Sequence, residues 1–424
     1  MSLLIRNARA VCPTTGLDAQ RNLLLENGLI TELADTSTTL TADESIDASG
    51  LWLFPGVIDL AAWLREPGLD QKATLKSETR AAAASGITTL CYQPEPGASF
   101  DTAAQVRLID DLTRKNPLAK VEVIANLTQG LKGEQLSNMG SLKRAGCIGV
   151  TNGWQPFKSL QTLRRAMEYA ATHDLTVYIY PLEHALAAGG YIHEGEISAR
   201  LGLPAIPSAA ETVAVAQTLA LASHTGARVH FCRLSTRLSV RLIRQAKESG
   251  LDISADVAAH QLFLTEVDVA DFNPLCHVMP PLRSARDRDA LREGLADGTI
   301  DAICSDHQPH ELDAKLAPFQ QTEPGISALE TLLPLTLRLV DEGVLSLSAA
   351  LSKVTAAPAR IIGSEAGKIA VGSPADLVLF DPDGLWELNP NKMVSDGRNT
   401  PFAGWNFNGT IMRTLLSGNT VFKR

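Results

Sequence analysis

The sequence is short of aromatic residues, of positive charge and of long apolar runs, and each shortage excludes something. Aromatics make up 5% of the 424 residues, and 38 Lys and Arg face 47 Asp and Glu, for a formal net charge of −9. An acidic chain without a run of Lys and Arg does not attract phosphate backbones, so nucleic acid is not an expected partner. No window approaches the length of a membrane span. The opening residues, Met1-Ser-Leu-Leu-Ile-Arg-Asn-Ala-Arg9, hold too short an apolar stretch for a secretory signal, and a cytoplasmic location is expected. Cysteine is sparse and scattered. Cys12, Cys91, Cys147, Cys232, Cys276 and Cys304 form no Cys-x-x-Cys pair, and Cys91 sits inside the apolar run at 86–92. They read as buried free thiols in a reducing compartment, not as disulfides or a zinc knuckle.

What the chain does have is alternation. At 424 residues, 45% of them hydrophobic, it exceeds one ordinary core but suits a (β/α)8 barrel with a small added domain. Short strands are expected at 3–5, 23–25 and 29–33, with Asn27-Gly28 as a hairpin turn. The other end reads alike: 367–369, a turn at 372–374, a strand at 375–380 and a hairpin over 411–422. Neither set buries a face alone, so 1–54 and 367–424 are expected to form one composite β-sandwich. Between them, strands at 57–60, 87–92, 121–125, 147–150, 176–180, 228–232, 252–255 and 300–304 alternate with helix-like stretches such as 73–85, 327–340 and 347–355. Eight strands are what a closed parallel barrel requires, over 55–366, with chemistry on the strand-end loops.

Phe54-Pro-Gly-Val-Ile-Asp-Leu-Ala-Ala-Trp-Leu-Arg-Glu-Pro-Gly68 resembles the opening of long-chain bacterial dihydroorotases, in which Pro-Gly leads into Asp-x-His-x-His-x-Arg-x-Pro-Gly. The likeness continues in family order at 79–89, 206–211, 280–284, 297–301 and Asp306-His-Gln-Pro-His310. It implies the amidohydrolase superfamily barrel and a zinc site built from a histidine pair after strand one and an acidic residue or carboxylated lysine after strand four. Histidines after strands five and six and an aspartate after strand eight complete it.

This chain departs from that pattern at nearly every ligand. The histidine pair is replaced by Ala61, with no donor atom, and Trp63, with only an N–H. Asn152 stands at the carboxylate position, Pro181 replaces the fifth-strand ligand, and Arg233 replaces the second histidine of His230-Phe-Cys-Arg-Leu-Ser-Thr236. Asp306 alone persists, and one carboxylate does not hold zinc, so no metal and no catalytic residue are expected. Of the family's substrate contacts, Arg65 and His310 remain, while Glu95 replaces the Asn of the turn after strand two and Met279 the Asn before Pro-Pro-Leu-Arg. Arg65 and Glu95 are expected to pair and fill the vestigial pocket. His307 and His310 read as holding their loop by ring hydrogen bonds; His184 lies near Pro181, and His173, His193, His224, His260 and His277 read as surface or packing residues.

A fold kept without its site suggests a surface role. The resemblance implies one: an oligomeric, inactive dihydroorotase-like chain that assembles with the catalytic chains of aspartate carbamoyltransferase. Two alternatives stay open. One is a divergent cyclic amidohydrolase using Asp306, His307 and His310 with one weakly held metal. The other is a regulatory module that senses a small anion through Arg65 and His310.

Overall fold

Eight parallel strands lie in consecutive order around a barrel in the computed structural model, which describes residues 2–115 and 117–424. They are β1 (Val57–Ala62), β2 (Ile87–Tyr92), β3 (Lys120–Asn126), β4 (Gly149–Thr151), β5 (Thr176–Ile179), β6 (Val229–Phe231), β7 (Ile253–Ala258) and β8 (Ala302–Cys304). The expected strands all form, because these short β-branched and apolar runs are buried on both faces. One face of the ring packs on the surrounding helices. The other fills the lumen with Leu60, Trp63, Cys91, Ile124, Tyr178 and Cys304, among others. The ring closes just beyond β8: His307 N donates to Ala61 O (3.1 Å) and Trp63 N to His307 O (2.9 Å). The positions that matter to the site are therefore fixed by the seam of the barrel.

The expected helices appear at Leu75–Ala84, Leu329–Asp341 and Leu347–Val354. The first begins where Thr74 accepts from Ser77 N and the Ser77 hydroxyl bonds back to Thr74, satisfying free backbone donors at its start. Among the described residues no helix is long and apolar enough to cross a membrane.

Strands from both chain ends join in one hydrogen-bonded sheet. Trp52–Pro55 is its junction, parallel to Ser2–Cys12 on one side and antiparallel to Leu377–Glu387 on the other. The sheet encloses a core of its own, with Ile5, Leu23, Leu53, Ile369, Leu379 and Leu415 drawn from both termini. Asn27-Gly28 makes the expected turn, with φ of 52° and 81°, the left-handed pair that a two-residue hairpin needs. Three details differ from the sequence reading. The first strand runs from Ser2 to Cys12, its second half burying Ala8, Ala10, Val11 and Cys12, and the later one continues past 380 to Glu387, where Asp381, Asp383 and Glu387 break the apolar pattern. Residues 367–369 form no strand; their backbone is held by Cys12 and Thr14 instead. Residues 390–402 leave the sheet and lie on the barrel, where Asn399 bonds Gln308 and Gly325 and Ser395 bonds Glu78.

Candidate functional site

The seam brings the sequence-selected residues to the mouth of the barrel. Ala61 is fully buried, and its backbone does the work its side chain does not: its N–H donates to Asp59 and its carbonyl accepts from Ser305 Oγ at 3.1 Å. Trp63, 3% exposed, turns its indole into the lumen. Pro181 is buried just past β5 and offers no side-chain donor or acceptor. Asn152 is also buried, but its amide is spent on its own loop and on the loop after β3. Its Oδ1 accepts from Thr128, and its Nδ2 donates to Gln155 O (2.9 Å).

Arg233 occupies the middle of this mouth. Its side chain is 2% exposed, with the guanidinium carbon 5.3 Å from the centre of the Trp63 ring and 5.0 Å from that of Tyr180. Its Nε faces Asp306 Oδ1 at 3.5 Å. Burial alone would pull the guanidinium's pKa down, but the surrounding Cys232, Asp256 and Asp306 outweigh it and hold the group charged. Of these the two carboxylates supply the effect, since burial drives the Cys232 thiol well up and keeps it neutral. Asp306, at 1% exposure, is pushed above its ordinary value by burial, against the pull of Arg233. Arg65, Arg233 and Asp306 all adopt positive φ, at 67°, 52° and 53°. Strained non-glycine backbone of this kind, at about 1–3 kcal/mol each, persists where the surroundings over-determine it.

Other acids gather behind Arg233. Asp256, fully buried on β7, takes the backbone N–H of Arg233 on Oδ1 and meets His230 Nε2 at 3.0 Å on Oδ2. Asp59, on β1, is raised to about 6 by burial and is held by Ser305 through both its N–H and hydroxyl. Among the described residues His230, Cys232 and Asp256 are the one acid, thiol and imidazole trio close enough to share a cation, with candidate atoms within 4.8 Å. His230 spends both ring nitrogens on Ser254 and Asp256, and the Arg233 guanidinium stands beside the trio. The donor set at the mouth does not fit zinc: Ala61, Trp63 and Pro181 offer no ligand atom, Asn152 is committed to the loops around it, and a fixed cation fills the space.

Arg65 and Glu95 form an ion pair at the rim, both largely buried. Beside them, His310 Nε2 lies 2.9 Å from Pro324 O and Nδ1 lies 3.2 Å from Lys72 Nζ. The carbonyl accepts only, so Nε2 carries the proton and Nδ1 accepts from the lysine. Burial, with Arg65 and Lys72 adding, drives the His310 pKa to about 2 and keeps the ring neutral. His307 is turned away from Asp306. Its Nδ1 accepts from Ala328 N (3.0 Å), so its Nε2 donates to Glu78 at 2.8 Å. Asp306, His307 and His310 thus do not converge on one point.

Sequence reasoning passed over Asp59, Asp256, Ser305 and Glu78, all fully buried. The signal was there for two of them: a lone Asp inside the apolar run 57–60, and Glu78 on the 75, 78, 79, 82 stripe of an Ala-rich helix. It also gave His260 no weight beyond packing. That ring is 1% exposed, neither nitrogen bonds to a described residue, and burial lowers its pKa to about 3. The unfolded chain takes up this proton near pH 6.5, the folded one only near 3, so the group removes stability as pH falls between them. His260→Leu should therefore gain on wild type by up to about 1.4 kcal/mol per pH unit between roughly pH 6 and 4. Urea unfolding across that range checks it; a gap that does not change with pH refutes it.

The chain is similar over its whole length to proteins of one family. The Amidohydrolase family matches residues 48–421. A dihydroorotase-like protein of Pseudomonas putida is 45% identical over 419 residues, covering 99% of both chains. A dihydroorotase of Pelobacter propionicus is 39% identical over 424 residues, covering 100% of both. The solved L-hydantoinase (dihydropyrimidinase) of Arthrobacter aurescens superposes with a TM-score of 0.89 over 99% of this chain and 96% of its own, at 24% identity, a likeness of fold. With the barrel, the terminal sheet and these relatives in agreement, the chain belongs to the amidohydrolase family, in its dihydroorotase-like branch.

Proposed function

We propose that this protein is a non-catalytic dihydroorotase homologue of pyrimidine biosynthesis, a structural subunit that supports assembly of aspartate carbamoyltransferase. The observation that carries the non-catalytic reading is Arg233. A guanidinium clamped between Trp63 and Tyr180 and facing Asp306 supplies positive charge where a hydrolase of this fold needs an open metal position. A bound zinc would polarise the amide and lower the pKa of a water; an arginine, which stays protonated, does neither. No residue at the mouth is then left to make a hydroxide.

The partner follows from the sequence resemblance, and a barrel kept intact around a filled mouth is consistent with selection for surface rather than for chemistry. Six buried, unpaired cysteines suit the reducing cytoplasm in which that pathway runs.

Affinity purification of the chain from its own host, without chelators, tests both parts. The expected preparation contains aspartate carbamoyltransferase catalytic chains, has far less than one zinc per chain and neither hydrolyses dihydroorotate nor cyclises carbamoyl aspartate. Stoichiometric zinc with either activity overturns the non-catalytic part; a chain that runs alone overturns the structural one. Restoring the histidine pair by Ala61→His with Trp63→His should leave both activities undetectable, because Asn152, Pro181 and Arg233 stay in place.

A further inference from the structure

A cavity of about 440 Å³ lies between the helices Leu75–Ala84 and Leu329–Asp341, the terminal sheet and the returning segment, and it shares no lining residue with the mouth. Sites for small molecules occupy about 300–1,000 Å³. Its walls are apolar and aromatic: Leu333 from the helix, Phe380, Trp386, Ile411 and Phe422 from the sheet, and Met393 from the segment. Gly409 shapes two of the rings. Its backbone has a φ of +80°, and a Cβ there would run into the Phe380 ring. Its carbonyl accepts from Trp386 Nε1 at 3.0 Å, and the indole packs on Phe407 with ring centres 5.2 Å apart.

The polar groups left open on these walls are acceptors. Glu330, in the first turn of its helix, takes the N–H groups of Val394 (2.8 Å) and Ser395 (3.2 Å) on Oε1. Oε2 has no hydrogen-bond partner among the described residues and is not sealed from solvent. Pro334, which also lines the cavity, has no N–H to give the Glu330 carbonyl. The interior donors are already spent, Trp386 on Gly409 and Ser85 Oγ on Ala81 O at 2.8 Å. Burial, with Glu78 adding, raises the Glu330 pKa against its backbone bonds and Arg398, so the carboxylate gains from a cation placed beside it. Glu387, Lys392 and Arg424 line the cavity as well, but all three are exposed, where a charge contributes about 1 kcal/mol or less. The half-buried Glu330 therefore sets the sign of the ligand.

We propose that this cavity binds a small amphipathic amine, with its ammonium on Glu330 and its apolar body against Phe380, Trp386 and Phe422. An ammonium brings three N–H donors to a wall that offers acceptors, and aromatic faces favour a cation near them. The site is separate from the mouth and stands whether or not the barrel has any catalytic activity.

Phenethylamine is the probe, titrated into the full-length protein at neutral pH, with thermal unfolding as the readout. Hydrocinnamate, which carries the opposite charge on the same body, and ethylammonium, which lacks the ring, are its references at equal ionic strength. At about ten times its dissociation constant phenethylamine should raise Tm by about 2 °C, saturably, and neither reference should do so. Glu330→Gln keeps an acceptor for Val394 and Ser395 and should lose most of the shift. Val394→Phe, which adds bulk to the wall next to the carboxylate, should lose it too. If Glu330→Gln does not fold, Val394→Phe decides. The proposal falls if phenethylamine gives no saturable shift, if hydrocinnamate or ethylammonium matches it, or if the full shift survives in either folded variant.

Discussion

Replacing Arg233 with methionine is expected to lower stability by about 3–5 kcal/mol, the usual cost of removing one member of a buried ion pair. Urea unfolding of the purified variant measures it. Methionine keeps much of the side chain's length and apolar body, so the loss is chiefly electrostatic and not a cavity effect. What remains is Asp306, at 1% exposure, whose Oδ1 has no hydrogen-bond partner among the described residues and faces only the guanidinium. Asp256 is affected less, because it keeps the backbone N–H of residue 233. The contacts with Trp63 and Tyr180 are lost as well, and a desolvated cation over an aromatic face contributes about 2 kcal/mol. A second change separates these contributions. Arg233→Met with Asp306→Asn should recover more than half of the loss, since a buried amide needs no counter-charge, and the non-additivity measures the coupling. A single variant within about 0.5 kcal/mol of wild type, the range of ordinary surface substitutions, would mean that Arg233 does not neutralise the mouth.

The same residue marks where sequence reasoning stopped. That Ala61, Trp63 and Pro181 lack ligand atoms is a property of side-chain chemistry, legible without coordinates. The barrel strands were legible too, because strands buried on both faces are written as apolar runs. What takes the place of the metal was not legible. Trp63, Tyr180, Arg233 and Asp306 lie far apart in the chain and meet only because β1, β5, β6 and β8 end at one mouth. Asn152 shows the converse. Its position in the motif suggested a group aimed at the mouth, whereas its amide is spent on the carbonyls of Gln155 in its own loop and Leu131 in the loop after β3. The pairing of Arg65 with Glu95 was foreseeable from charge and register, and the structure brings the two together. The outer half of the Leu377–Glu387 strand and the return of residues 390–402 to the barrel were not foreseeable, because polar positions there break the periodic apolar signal.

That returning segment rests on Glu78, whose loss should be the other large effect. The carboxylate is fully buried and accepts four bonds: from Ser77 Oγ (2.8 Å) and Asp396 N (3.1 Å) on Oε1, and from His307 Nε2 (2.8 Å) and Ser395 Oγ (2.7 Å) on Oε2. It joins the helix Leu75–Ala84, the seam of the barrel and residues 390–402 at one point. Glu78→Ala is expected to cost at least about 3 kcal/mol, because buried donors lose a charged acceptor. Glu78→Gln keeps the volume but puts an amide N–H₂ against donors on one side, and should cost about half as much. The pH dependence distinguishes a lost charge from lost packing. Burial opposes ionisation, yet His307, Ser395 and Asp396 outweigh it and hold Glu78 below its ordinary value. A carboxyl with a depressed folded pKa contributes fully above its unfolded value, near 4.3, and that contribution disappears as pH falls through the folded one. The gap between wild type and Glu78→Gln should therefore stay level from neutral pH to about 5 and narrow only in stronger acid. Limited proteolysis at neutral pH should cut the variant faster within 390–402, since Ser395 Oγ and Asp396 N lose their acceptor, and the bonds of Glu330 to Val394 N and Ser395 N and of Asn399 to Gln308 O do not supply another. A gap that persists unchanged at low pH, with no new cleavage, would assign Glu78 to packing and leave the segment held by other contacts.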